Sequence, residues 1–140
     1  MKLLQRYRAF TLMELMIAIG IVGIIATIAV PSYIHNTRRA YYSELVMATI
    51  PYKMGIADCY KVTSDLTKCN GGKYGIPPDI TTPFSGIAML TVKQGQITVV
   101  PVNKNGIENS DTYILTPKPH PSGLIGWEVE GGALAKGYVK

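Results

Sequence analysis

Arg8-Ala9-Phe10-Thr11-Leu12-Met13-Glu14-Leu15 opens a run that stays apolar as far as Val30, broken only by Thr11, Glu14 and Thr27. Phe10 to Val30 is 21 residues, about 30 Å as a helix and enough to cross the hydrocarbon of a bilayer. Ahead of it, Met1 to Ala9 carries Lys2, Arg6 and Arg8 and no acid. A basic flank stays on the cytoplasmic side, so everything after Val30 is expected outside the membrane.

Three fates compete for this segment: a secretory signal that is removed, a plain anchor, or a leader cut on the cytoplasmic side while the apolar part remains. A secretory signal has a shorter apolar region closed by small residues, and Thr27 with Ala29 makes a poor cleavage site. Glu14 decides between the other two. An acid at the centre of a membrane helix costs about 2.5–3.5 kcal/mol, less near an end, and marks a functional position by default. A helix that only anchored would carry Leu there.

The stretch Ala9-Phe10-Thr11-Leu12-Met13-Glu14-Leu15, behind a short basic leader and ahead of a long apolar helix, resembles the prepilin-peptidase site of the type IV pilin family. The likeness is dense from Lys2 to about Leu45 and implies a short leader of the type IVa class. It implies cleavage between Ala9 and Phe10, N-methylation of Phe10, and assembly into a helical filament of identical subunits. Ala9 stands where the family most often has Gly. The implied partners are the inner membrane, prepilin peptidase, the pilus assembly platform, and DNA or a host surface. The implied location is the inner membrane before assembly and the extracellular pilus afterwards.

The chemistry of such a cut follows from the residues. Cleavage turns the Phe10 nitrogen from an amide into an α-amine, with a reference pKa of about 7.7–8.0, cationic at neutral pH. That cation lies one helical turn from Glu14. In low dielectric the carboxylate of one subunit pairs with the terminal amine of the next, offsetting a desolvation cost that neither bears alone.

With 140 residues and 47% hydrophobic against 16% charged side chains, the chain is one ordered domain's worth. Past Val30 the all-round apolar pattern becomes two-faced. Ile34, Tyr41, Leu45, Ala48, Tyr52 and Ile56 recur at helical spacing while Arg38, Arg39, Glu44 and Lys53 lie elsewhere. A nearly continuous helix from Phe10 to about Asp58 is expected, its second half carrying a soluble head. Gly20, Gly23 and Pro31 weaken the first half, and Pro51 is expected to add a bend. Pilins place Gly and Pro similarly, which implies that Gly23 to Pro31 is the stretch that melts on assembly.

Turn formers crowd the segment between Asp58 and Gly86, namely Asn70-Gly71-Gly72, Gly75, Pro77-Pro78-Asp79 and Pro83. Cys59 and Cys69, on the exported side, read as a disulfide that staples this loop and stabilises by somewhat under about 3 kcal/mol. The family often has its disulfide nearer the C-terminus. From Ile87 the period becomes two. Strands are expected over Ile87–Lys93, Gln96–Val102, Thr112–Lys118 and Leu124–Glu130, with Ile125, Trp127 and Val129 facing inward. Asn103 to Asp111 is a polar connector, and Gly131 to Lys140 is a tail with no element assigned. The expected organisation is therefore leader 1–9, membrane helix 10–30, amphipathic helix 31–58, stapled loop 59–86, and sheet with tail 87–140. The fold class is α+β, a long helix packed on a four-stranded antiparallel sheet, which is also the pilin fold.

No catalytic constellation is present. HExxH and GxSxG are missing, and Gly71-Gly72-Lys73-Tyr74 fails as a phosphate loop because no Ser or Thr follows the Lys. His35 and His120 are isolated in sequence, and neither a metal site nor a cofactor is expected. The net charge of +5 is a mild bias, and removing the three leader cations takes the basic side chains from fourteen to eleven against nine acids. Lys68 and Lys73 in the stapled loop, with Lys93, Lys104, Lys118, Lys136 and Lys140, are the residues that would bind DNA phosphates. The leading reading is the structural subunit of a type IVa pilus, serving adhesion, twitching motility and DNA uptake. The alternatives are a minor pilin specialised for DNA or surface binding and a type II secretion pseudopilin.

Overall fold

The computed structural model describes residues 9–140. Lys2, Arg6 and Arg8 of the leader lie outside the described residues. The chain forms two compact units, residues up to Asn36 and Thr37–Lys140. Helix α1 runs Leu12–Ala48 and α2 runs Ile50–Thr63; strands β1 (Ile87–Lys93), β2 (Gln96–Pro101), β3 (Tyr113–Pro119) and β4 (Ile125–Glu130) follow, and a short α3 covers Gly132–Ala135. The sheet is an antiparallel meander in the order β1-β2-β3-β4. Each strand lies within one residue of its expected bounds, because alternation together with Gly turns fixes a half-buried strand closely.

The helical segment differs from expectation in two places. It divides at Thr49, because Pro51 has no N–H to donate one turn back. Thr49 instead tightens the turn, its N–H and Oγ1 both donating to the Val46 carbonyl at 3.1 and 2.7 Å. It also runs past Asp58 to Thr63, since Cys59 continues the buried face of Tyr52 and Ile56 and the left-handed stop comes only at Ser64, φ 51°. Pro31, by contrast, sits inside an unbroken α1.

Within Thr37–Lys140 the core joins the helix to the inner sheet face: Tyr42, Leu45, Tyr52 and Ile56 pack with Leu90, Val92, Ile97, Val99 and Leu115. Trp127 of β4 is half-buried beneath Lys53, whose ammonium lies 5.6 Å from the ring centroid; burial lowers the Lys53 pKa. The segment after the disulfide is laid along β1. Asp79 Oδ1 accepts from the Val92 N–H at 3.0 Å, and Ile80 and Leu90 exchange backbone hydrogen bonds. Gly55 lets this segment meet α2, for a Cβ there would lie 2.8 Å from Ile76 Cα and 3.0 Å from the Gly75 carbonyl oxygen.

The connector and the tail are more ordered than the sequence suggested, and each depends on the other. Asp111 is 1% exposed. Its Oδ2 accepts from the Glu108 N–H at 3.0 Å, while no neutral donor reaches Oδ1. The Lys136 ammonium meets that oxygen at 2.6 Å and Glu108 Oε2 at 3.4 Å. Tyr42 donates its hydroxyl to the Asp111 carbonyl and stacks on Tyr138, ring centroids 5.8 Å apart. The tail is thus pinned over the helix by one ion pair, buried on the Asp111 side and exposed on the Lys136 side, and by one ring stack. Gly131 and Gly132 permit the approach, as a Cβ on either would collide with the backbone at Thr112 or Ser110.

Two outcomes are expected. Gly55→Ala should lower stability by about 1–3 kcal/mol through overpacking against a rigid backbone, read as a shift of the denaturation midpoint of the full chain in detergent. The second concerns alkali. Burial, then Asp111 and Tyr113, raise the Tyr42 pKa well above that of a free phenol, and the hydrogen bond to Asp111 raises that of Lys136. Both groups hold their protons more tightly folded than unfolded, so their stabilisation is complete below the ordinary Tyr and Lys values and is lost as pH rises beyond them. Denaturation midpoints measured from about pH 8 to about pH 11 should fall at the upper end. Lys136→Met should start lower at neutral pH and fall less steeply.

Candidate assembly site

Thr11, not Phe10, opens the helix. Its backbone is still non-helical, its Oγ1 accepts from the Glu14 N–H at 3.2 Å, and Glu14 Oε2 accepts in return from the Thr11 N–H at 3.1 Å and from Thr11 Oγ1 at 3.2 Å. This is a capping box, which satisfies N–H groups left open at a helix start. Thr11-Leu12-Met13-Glu14 spells its Thr-x-x-Glu signature, a signal the sequence reading passed over when it treated Glu14 only as a charge. The carboxylate is therefore held at the first turn against the N–H of Thr11, the residue that follows Phe10.

Around this acid the surface is apolar. From Ala9 to Asn36 every residue is exposed except the half-exposed Ala26, and Phe10 itself is 86% exposed. Among the described residues, and leaving aside the helix's own nearby backbone, nothing lies within 4 Å of where a Cβ would project at Gly20 or Gly23. The Thr27 hydroxyl donates to the Ile24 carbonyl at 2.7 Å, one turn before Pro31. The helix is long and apolar enough to cross a membrane.

The other predicted site residues lie in the head. Cys59 and Cys69 are bonded, S–S 2.01 Å, and both are fully buried, joining the end of α2 to the segment beside β1. The Cys69 carbonyl accepts from the Gly95 N–H at 2.7 Å, so the staple also touches the β1–β2 turn. Lys68 lies beside the staple and pairs with Asp65 at 3.9 Å; Lys73 is exposed on the next turn. Of the other lysines in that set, Lys118 pairs with Glu128 at 3.0 Å and Lys136 with Asp111 and Glu108. Tyr41 and Tyr42 serve packing: Tyr42 is core, and Tyr41 lays its hydroxyl against Gly86. Among the described residues no group of three or more His, Cys, Asp or Glu could hold a metal ion.

Comparison with known proteins falls on the same segments. Residues 4–30 match the family described as prokaryotic N-terminal methylation motif. The chain is 30% identical over 125 residues to prepilin peptidase-dependent protein D of Escherichia coli K12, covering 89% of this chain and 82% of that one. It is 40% identical over 75 residues to the type IV pilus subunit protein TapA of Aeromonas hydrophila, covering 54% of this chain and 53% of TapA. It is 33% identical over 104 residues to the type IV major pilin protein PilE1 of Neisseria gonorrhoeae, covering 73% and 61%. With the methylation motif at the head of an exposed apolar helix and a four-stranded antiparallel sheet behind it, the chain belongs to the type IV pilin family.

Proposed function

We propose that this protein is the structural subunit of a type IV pilus. It is cut between Ala9 and Phe10, methylated on the Phe10 amine, and polymerised through its apolar helix, with Glu14 receiving the terminal amine of a neighbouring subunit. The observation that carries the reading is a single carboxylate fixed at the first turn of a helix whose first half is otherwise apolar and exposed. In a bilayer that acid is a cost, and beside a second copy's cationic N-terminus it becomes a registration point. The subunit is held in the inner membrane before assembly and displayed in the fibre afterwards. Adhesion, twitching motility and DNA uptake are the uses proposed for the fibre, with Lys68 and Lys73 as the phosphate contacts, and Gly23 to Pro31 as the stretch that gives up helicity when subunits pack.

The mature chain should begin at Phe10 and carry one added methyl, read by intact mass and N-terminal sequencing; a start at Val30 would mean secretion of a free head. Glu14 has two roles to separate, cap and counter-ion. Glu14→Gln keeps an acceptor for the Thr11 N–H and removes the charge, whereas Glu14→Ala removes both. The yield of sheared filaments should fall about equally for the two, by roughly tenfold or more for a lost charge pair of at least 1.4 kcal/mol. Wild-type yield from Glu14→Gln would mean that only the cap matters. As a major subunit the chain should dominate those filaments, where a minor pilin would be a trace component.

A further inference from the structure

Two features of the head lie open at its surface. The first is Phe84, 70% exposed. It is the first residue of a tight turn in which Phe84 and Ile87 exchange both backbone hydrogen bonds at 2.9 Å and Ser85 and Gly86 take φ of 46° and 84°. Those signs belong to a type I′ turn, which fixes the flanking backbone. The aromatic ring is thus held out on a rigid support. The second is a groove of about 340 Å³ lined by Arg39, Val46, Met47, Tyr113, Tyr138 and Lys140, among others. An apolar cavity of about 150 Å³ already holds a benzene ring, so a phenyl group fits.

Their positions on the helix differ in a way that matters. At about 100° per residue, Arg39, Ser43, Val46 and Met47 fall on one flank of α1. Tyr41, which carries the Gly86 turn against it, lies about half a turn round, on the other. Glu44 falls near that second flank. Arg39 and Glu44 are both exposed, and neither is among the ion pairs of the described residues. One flank therefore offers a hollow with cations, Arg39 and Lys140, and the other a knob with an anion.

We propose that Phe84 of one subunit seats in the Arg39–Met47–Tyr138 groove of a second copy of this chain, with Glu44 of the first facing Arg39 of the second. The inference rests on the pilin reading and adds the lateral contact between heads. Because knob and hollow lie on different flanks, the contact is heterologous and propagates from copy to copy, as a helical fibre needs and a closed two-fold dimer does not. The buried ring supplies apolar burial and sits beside a guanidinium. Arg39 and Glu44 select which flank meets which.

The test uses the full-length chain assembled into filaments. Phe84→Cys combined with Met47→Cys should give a ladder of covalent multimers on non-reducing gels that collapses with reductant, since the native cysteines are already bonded to each other. Leu124→Cys, another exposed apolar turn residue, combined with Met47→Cys should give none. Filaments without the ladder overturn the contact, as does an equal ladder from the Leu124 pair or a rung whose mass contains a different protein. Should the cysteine pair prevent assembly, charge reversal decides. Glu44→Arg and Arg39→Glu should each lower filament yield, and the double reversal should restore it; a double variant no better than the singles overturns the contact. Filaments of methylated Phe10 chains that show neither effect leave the pilin reading standing without this contact, whereas an unmodified chain that forms no filaments removes both.

Discussion

An apolar helix exposed along its first half is the constraint on which everything else here turns. From Leu12 to Asn36 every residue of α1 except the half-exposed Ala26 is exposed among the described residues, so the segment is stable only where lipid or other helices replace water. Lipid asks for no particular register, because burial of apolar surface is non-directional. Neighbouring helices do not fix a register either, if apolar side chains are all they offer one another. A point charge changes this. Glu14 is the one Asp, Glu, Lys or Arg between Ala9 and Asn36, and a carboxylate in low dielectric tolerates few positions for its counter-ion. The capping box holds that carboxylate at the helix start before any partner arrives.

The head meets the opposite requirement, because it must remain one piece in water while small. Its sheet covers one face of the helix from Tyr42 onward, and three devices secure what the sheet does not reach. The disulfide ties the end of α2 to the loop. The Gly55 contact and the Asp79 bridge hold that loop to α2 and β1. The Asp111–Lys136 pair, with Tyr138 against Tyr42, folds the tail back onto the helix. The third is a non-covalent closure of the C-terminal tail, whereas the family often has a disulfide nearer the C-terminus. Such a pair adds less to net stability than its distance suggests, since burying Asp111 is itself expensive, and its main effect is to penalise any arrangement that parts the carboxylate from the ammonium.

Most of the fold was legible because periodicity carries it. The change from apolar on all sides to two-faced near Val30, and then to period two at Ile87, marks the membrane helix, the amphipathic half and the sheet. What escaped the reading is long-range and polar. Nothing local in Asn103–Asp111 says that Asp111 is buried, because its partner Lys136 is distant in sequence and a lone Lys in a Gly-rich tail looks solvated. The bend expected from Pro51 falls at Thr49, where the helix divides, whereas Pro31 sits inside an unbroken α1, and the two prolines look alike in sequence. The capping box at Thr11 was visible in principle and was overshadowed by the charge of the same Glu14.

The two halves of the molecule thus divide the work of specifying an assembly. In the proposed fibre, one charge on an apolar cylinder would discriminate between axial positions and say little about rotation, since apolar contacts look similar from every side. Rotation has to come from the head, where the helix flanks carry different groups: cations beside a hollow on one and an exposed aromatic with an acid on the other. A fibre needs both kinds of information, because axial register without a rotational preference gives a bundle, and rotational preference without register gives sliding contacts. In the proposed fibre each is carried by groups at the surface of the subunit, so the features least explained by the fold of one chain are the ones best suited to joining many.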